Sequence, residues 1–106
     1  MPLSVKVRNL SDASRLICTG QIIRGPESDH LYEVVTRQLQ QEVILDLNGV
    51  TTIDEEGLFL IALCYEILST SNRKLGLCNP PASIMAALRR RQLDRVFNLR
   101  ESTAIH

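Results

Sequence analysis

The sequence predicts an α/β domain in which a small mixed β-sheet is covered by helices, in the order β-β-α-β-α-β-α-β. Three observations support this. Short β-prone runs such as Val43-Ile44-Leu45-Asp46-Leu47 and Lys74-Leu75-Gly76-Leu77-Cys78 are bounded by Asn, Gly and Pro. Stretches with apolar residues at three- and four-residue spacing separate them. With 44% apolar residues, the 106-residue chain can build one core, since a domain this size buries roughly 60–70% of its unfolded surface. Residues 1–106 are therefore read as a single domain.

Ser4 to Arg8 alternates, with Val5 and Val7 apolar and Lys6 and Arg8 polar, as an edge or half-exposed strand does. Leu16 to Ile23 is a second strand, and Gly20 within it implies a bulge or bend. Gly25-Pro26-Glu27-Ser28-Asp29 reads as a turn. Leu31, Val34, Val35 and Leu39 then recur at helical spacing and predict an amphipathic helix over 30–41. Val43 to Leu47 is apolar enough for a buried central strand, and Asn48-Gly49 predicts a turn after it. A helix follows from Asp54 to about Ser71, then a strand from Lys74 to Cys78. Asn79-Pro80-Pro81 ends that strand, with Pro81 suited to the first turn of a helix whose apolar positions are Ile84, Met85 and Leu88. Leu93, Val96, Phe97 and Leu99 predict a last short strand with a frayed tail.

Composition excludes several functions. No apolar run reaches the ~20 residues that span a bilayer, and MPLSVKVRNL lacks the apolar core of a signal peptide, so a soluble cytoplasmic protein without membrane insertion is expected. Cys18, Cys64 and Cys78 are odd in number, far apart and in apolar surroundings, which predicts buried free thiols. His30 and His106 have no ligand-like neighbours, and neither a metal site nor a cofactor is expected. Net charge is zero, but residues 1–72 carry five basic and ten acidic groups and residues 73–106 seven and two, giving −5 and +5. That asymmetry points to interaction surfaces or to attraction between the halves. Arg89-Arg90-Arg91 could touch phosphates, but without flanking aromatics or net positive charge no nucleic-acid partner is expected.

The segment TTIDEEGLFLIALC (51–64) sets Asp54, Glu55 and Glu56 before an apolar helix. Asp54 suits an N-cap, and Glu55 and Glu56 fall in the first turn, where the helix dipole favours anions. This capping role requires no function. A cation site built from Asp46, Asp54, Glu55 and Glu56 is a rival, as in a phosphoacceptor receiver domain. That architecture also needs an acidic pair after its first strand and a lysine after its last, where this chain offers Asn9 and Asn98. A two-carboxylate hydrolase needs one acid with a raised pKa, the opposite of what a helix N-terminus imposes, so no enzymatic activity is expected.

The arrangement VILDLNGVTTIDEEGLFLIALCYEILSTSNRKLGLCNPPASIMAALRRRQLDRVFNL resembles the STAS domain, named for sulfate transporters and anti-sigma factor antagonists. The resemblance rests on Asp46-Leu47, Thr52-Ile53-Asp54 and Gly57 with the apolar helix after it. Leu77-Cys78-Asn79-Pro80, Leu93-Asp94-Arg95-Val96-Phe97 and Gly20-Gln21-Ile22 match as well. It covers nearly the whole chain, although Glu101 to His106 leaves little room for the family's final helix. It implies a mixed sheet with packed helices and a regulatory protein that binds a kinase-like anti-sigma partner through the loop and helix start at 51–58.

In the antagonists, as the resemblance implies, a serine immediately before the glycine is phosphorylated and binding is abolished. That position is Glu56 here, with Glu55 before it, so no phosphorylation of the turn is expected. Either Glu56 imitates the phosphorylated state in part, or the partner never used the switch. Thr51 and Thr52 are nearby hydroxyls suited to bonding the local backbone. The implied partner-binding residues are Asp54, Glu55, Glu56 and Gly57, with Asp46 and Thr52 supporting the loop. A side chain at 57 would block the partner, or the helix packs closely there. An alternative implied by the family is a cytoplasmic STAS subunit of a membrane transporter complex. A nucleotide-binding role has no visible phosphate loop to support it.

Overall fold

The computed structural model describes residues 2–95 and the backbone of 98–100. Strands β1 (Ser4–Asn9) and β2 (Ala13–Ile22) pair antiparallel, and the Leu10 N–H closes their turn by donating to the Ala13 carbonyl at 2.7 Å. Strands β3 (Glu42–Ile53), β4 (Lys74–Cys78) and β5 (Asn98–Arg100) then add in parallel, so the sheet reads β1-β2-β3-β4-β5. Helices α1 (Pro26–Arg37), α2 (Glu55–Ser69) and α3 (Ala82–Arg90) fill the three crossovers, and a 3-10 turn at Leu93–Arg95 follows α3. Every crossover steps to the next strand in the same direction. Since such connections are right-handed, all three helices fall on one face of the sheet.

The core lies between that face and the helices. Leu16, Leu45 and Leu77 of the sheet join Leu31 and Val35 of α1, Ile61 and Leu68 of α2, and Ile84 and Leu88 of α3 in one buried cluster. Strand alternation turns Ile44, Asp46 and Cys78 to the opposite face. There Asp46 is 8% exposed and accepts four hydrogen bonds. Arg15 donates from Nη2 at 2.8 Å and Nε at 3.3 Å, the Asn48 N–H at 3.1 Å, and Asn79 Nδ2 at 3.4 Å. One carboxylate thus links β2, β3 and the exit of β4. Burial on its own raises the Asp46 pKa. The bonds from Arg15, Asn48 and Asn79, with the attraction of the guanidinium, outweigh that and leave it below the usual carboxylate value.

Strands β1 and β4 and the Asp54 cap of α2 stand where the sequence predicts them. Gly20 has a φ of +107° beside two irregularities in the β2–β3 pairing, as its position in the strand implies. Four expectations need correction. Helix α1 spans 26–37 rather than 30–41, because Pro26 occupies its first turn with Glu27 and Asp29 favourable at its N-terminal end. The chain is already extended at Gln38, so Leu39, expected on the apolar face, is 87% exposed.

Strand β3 does not stop at Leu47 but runs through Asn48-Gly49 to Ile53, because pairing with β2 continues to Ile22↔Ile53. Gly49 serves close approach instead of a turn: a Cβ there would lie 2.8 Å from Thr19 Cγ2 and 3.0 Å from the Cys18 carbonyl oxygen. Pro81 is the N-cap of α3 and not part of its first turn. Leu93 begins a 3-10 turn rather than a strand, since Gln92 reverses the chain at φ +59°. Val96 and Phe97 lie outside the described residues.

Cys18, Cys64 and Cys78 are buried and form no disulfide, and burial pushes the Cys18 and Cys64 thiols up to about 12. Among the described residues no helix is long and apolar enough to cross a membrane.

Two measurements test this architecture. Leu31 is fully buried, and Leu31→Ala should cost about 2–5 kcal/mol in urea unfolding. Leu39→Ala should fall within about 0.5 kcal/mol of the parent, because its side chain packs on nothing that folding buries. Asp46 has a depressed folded-state pKa, so its stabilisation is present above the unfolded carboxylate value and is lost as pH falls through the lower folded value. Acid titration of unfolding free energy below about pH 4 should show a steeper loss in the parent than in Asp46→Asn, which has no carboxylate to protonate.

Candidate functional site

The end of β3 delivers Asp54 beside the end of β2, and the two are joined by a carboxylate clamp. Asp54 is extended at φ −104°, ψ −175°, as an N-cap residue is. Its Oδ1 accepts from the Gly57 N–H at 2.8 Å, and its Oδ2 accepts from the Arg24 N–H at 2.9 Å. The Asp54 N–H in turn donates to the Ile22 carbonyl at 3.3 Å, and its own carbonyl accepts from the Leu58 N–H at 2.9 Å. Both carboxylate oxygens are thereby engaged within the chain. Asp54 sets the position of the helix start, and its neighbours carry the outward-facing charge.

Gly57 is buried in the first turn of α2. A Cβ at that position would stand 2.2 Å from the Ile22 carbonyl oxygen and 2.9 Å from Ile53 Cγ1. The glycine is therefore accounted for by the approach of α2 to the end of β2. Glu55 and Glu56 are exposed on the same turn. Glu55 pairs with Arg91, the residue that caps the C-terminal end of α3. Their side chains are 71% and 55% exposed, so the pair contributes only about 0–1 kcal/mol. Glu56 has no ion-pair partner among the described residues. Thr51 Oγ1 donates to the Gly20 carbonyl at 3.2 Å, while Thr52 is exposed beside it.

The structure thus brings Thr52, Asp54, Glu55, Glu56 and Gly57 together and leaves Asp46 out. The expected place of Asp46 beside the loop followed from ending β3 at Leu47. The strand runs on to Ile53, and at about 3.3 Å per residue that sets Asp46 roughly 20 Å from the loop. Three residues were not expected at this surface. Arg91 meets Glu55 from the far end of α3, and no local pattern announces a contact between residues 36 positions apart in the chain. Arg24 contributes only its backbone. Phe59, 65% exposed, was hidden inside an apolar run, although its spacing of four from Glu55 places it on the same helix face. Among the described residues no group of three or more His, Cys, Asp or Glu side chains could hold a metal ion.

Gly57→Ala should destabilise by about 1–3 kcal/mol or more, since the added methyl meets backbone that has nowhere to move. Asp54→Ala should cost about 0.5–2 kcal/mol by loss of the cap. Chemical unfolding of both variants checks these values, and an unaffected Gly57→Ala would show that α2 does not lie as close to β2 as described.

Comparison with known proteins places this geometry. A family profile described as the STAS domain matches residues 18–104. Among curated proteins no sequence match is found. Several solved structures share the fold. An anti-sigma factor antagonist from Mycobacterium paratuberculosis superposes with a TM-score of 0.80 at 19% identity, covering 95% of this chain and 86% of that one. The anti-sigma factor antagonist SpoIIAA in its unphosphorylated form gives 0.74 at 10% identity over 94% of this chain and 89% of that one. The Bacillus SpoIIAA in its phosphorylated form gives 0.74 at 10% identity, covering 94% and 92%. A structure of Mglu gives 0.66 at 25% identity over 74% of this chain, which spans only 20% of that protein's length. The profile takes in every residue of the clamp and the acidic helix start, from Ile22 and Arg24 to Gly57 and Arg91, and the chain belongs to the STAS domain family.

Proposed function

We propose that this chain is a non-enzymatic regulatory binding module of the cytoplasm, acting as an anti-sigma factor antagonist does. It binds a kinase-like anti-sigma partner through residues 51–58. The observation that supports this most is the exposed Glu55-Glu56 pair on a helix start held in place by the doubly bonded Asp54 carboxylate. A preformed, charged and water-facing turn is suited to recognition, because docking there orders little and the charge is fixed in direction. In this reading Glu56 and Thr52 face the partner, Glu55 does so while paired to Arg91, and Asp54 and Gly57 hold the turn in shape.

The usual serine switch is absent from this reading. SpoIIAA has been solved in phosphorylated and unphosphorylated forms. The corresponding turn here, Asp54-Glu55-Glu56-Gly57, has no hydroxyl side chain to accept a phosphate. Glu56 carries one negative charge where a phosphoserine carries about 1.5 to 2, so it imitates the modified state only in part.

The test is titration calorimetry against the ATPase-fold anti-sigma factor encoded in the same genome, with Glu56→Ser compared alongside. The parent should bind and, after incubation with ATP, show no phosphate on 54–57 by peptide mapping. Glu56→Ser should shift affinity by about tenfold or more, since it removes a charge from an interface. Its stability should change by less than about 1 kcal/mol, the worth of one exposed charge at a helix end. Failure of the parent to bind that factor sinks the reading. An altered melting temperature with unaltered affinity would return Glu56 to a purely capping role.

A further inference from the structure

The surface around the start of α2 carries both signs of charge. The Glu55–Arg91 pair brings the C-terminal end of α3 up to the N-terminal end of α2. Beside that pair Glu56 is exposed on one helix and Arg89 and Arg90 on the other. None of these three has an ion-pair partner among the described residues. Phe59 lies on the same face of α2, three residues after Glu56, and is 65% exposed, whereas Tyr32 and Tyr65 are half-buried. The N-terminal end of α2 thus exposes an aromatic ring and an unpaired acid, and the neighbouring end of α3 two unpaired arginines; aromatic and arginine side chains are enriched at interfaces.

The charge layout favours one occupant. A uniformly basic partner would be attracted to Glu56 but repelled by Arg89 and Arg90, and a uniformly acidic one the reverse. A second copy of the chain, turned by a two-fold axis near Phe59, satisfies both at once, because an isologous contact sets each patch against its complement. The two rings then meet at the axis, where offset stacking is favourable. Zero net charge removes the long-range repulsion that would keep two copies apart.

We infer that this face docks a second copy of the chain, with Glu56 of each protomer against Arg89 and Arg90 of the other around a pair of Phe59 rings. The inference stands on the charge layout and the exposed ring, and does not depend on the anti-sigma reading. It adds a form of regulation to that reading, because the dimer covers the turn and makes self-association and partner binding mutually exclusive.

Sedimentation velocity of the full chain from micromolar to millimolar concentration tests it. The parent should pass from monomer to dimer over this range, less readily as salt is raised. Phe59→Ala should weaken the dimer at least about tenfold, which is ~1.4 kcal/mol. Glu56→Arg alone and Arg89→Glu/Arg90→Glu alone should each stay monomeric, since each sets like charges together twice. Their equimolar mixture should regain the dimer, because both contacts are then opposite in sign. All of these side chains are exposed, and far-ultraviolet circular dichroism of each variant confirms folding before it is compared. A parent that stays monomeric throughout overturns the inference and leaves the partner reading standing. A dimer unmoved by Phe59→Ala, or a mixture that stays monomeric, overturns it as well.

Discussion

The pairing of β2 with β3 is the constraint on which the rest of this fold depends. It runs in parallel from Ala13↔Glu42 to Ile22↔Ile53, interrupted by two irregularities but not ended by them. Because the two strands finish side by side, Asp54 emerges within bonding distance of the Ile22 carbonyl and the Arg24 N–H. A shorter pairing would release the start of α2 from the sheet, and a shift of one residue would turn the inward side chains of β3 to the other face. The glycines at 20 and 49 are what the pairing demands. One adopts a backbone conformation that other residues avoid, and the other lets Thr19 approach without a clash. The exposed acidic turn is thus a product of strand register.

The two faces of the sheet are stabilised by different physics. The helix-covered face is apolar throughout its buried cluster, where stabilisation scales with area removed from water. On the other face the Arg15–Asp46 pair is only partly withdrawn from solvent, with side chains 37% and 11% exposed. Such a pair adds little net energy over an apolar replacement, but removing one member is costly because the other is left uncompensated. Its contribution is to specificity of assembly. A carboxylate with donors from β2, β3 and the residue after β4 is satisfied in only one arrangement of those three segments.

What was legible in the sequence follows from how local each signal is. The Lys74–Cys78 strand and the Asp54 cap were readable because a run of apolar residues and a carboxylate before a helix act within a few positions. The extent of β3 was not, since Asn48-Gly49 has strong turn chemistry and only the distant partner strand overrides it. The same error misplaced Asp46, whose true neighbour, Arg15, is 31 residues away in the chain. At α1 the Pro26 signal was present but assigned to a turn, and Leu39 was drawn into the helix by a periodicity that the chain abandons at Gln38. For the site, the acidic turn itself could be read. The arrival of Arg91 from α3 and the outward aim of Phe59 required the packed helices.

The three buried thiols give this molecule a built-in record of its own opening. Cys18 lies in β2, Cys64 in α2 and Cys78 at the end of β4, and none is more than 3% exposed. Cys18 and Cys64 are further held as unreactive thiols by their raised pKa. An alkylating reagent therefore reaches them only when the surrounding element detaches, and each reports on a different part of the fold. Timed labelling of the unaltered chain, resolved by peptide, can consequently show whether strand β2, helix α2 and the edge of β4 come apart together or in sequence.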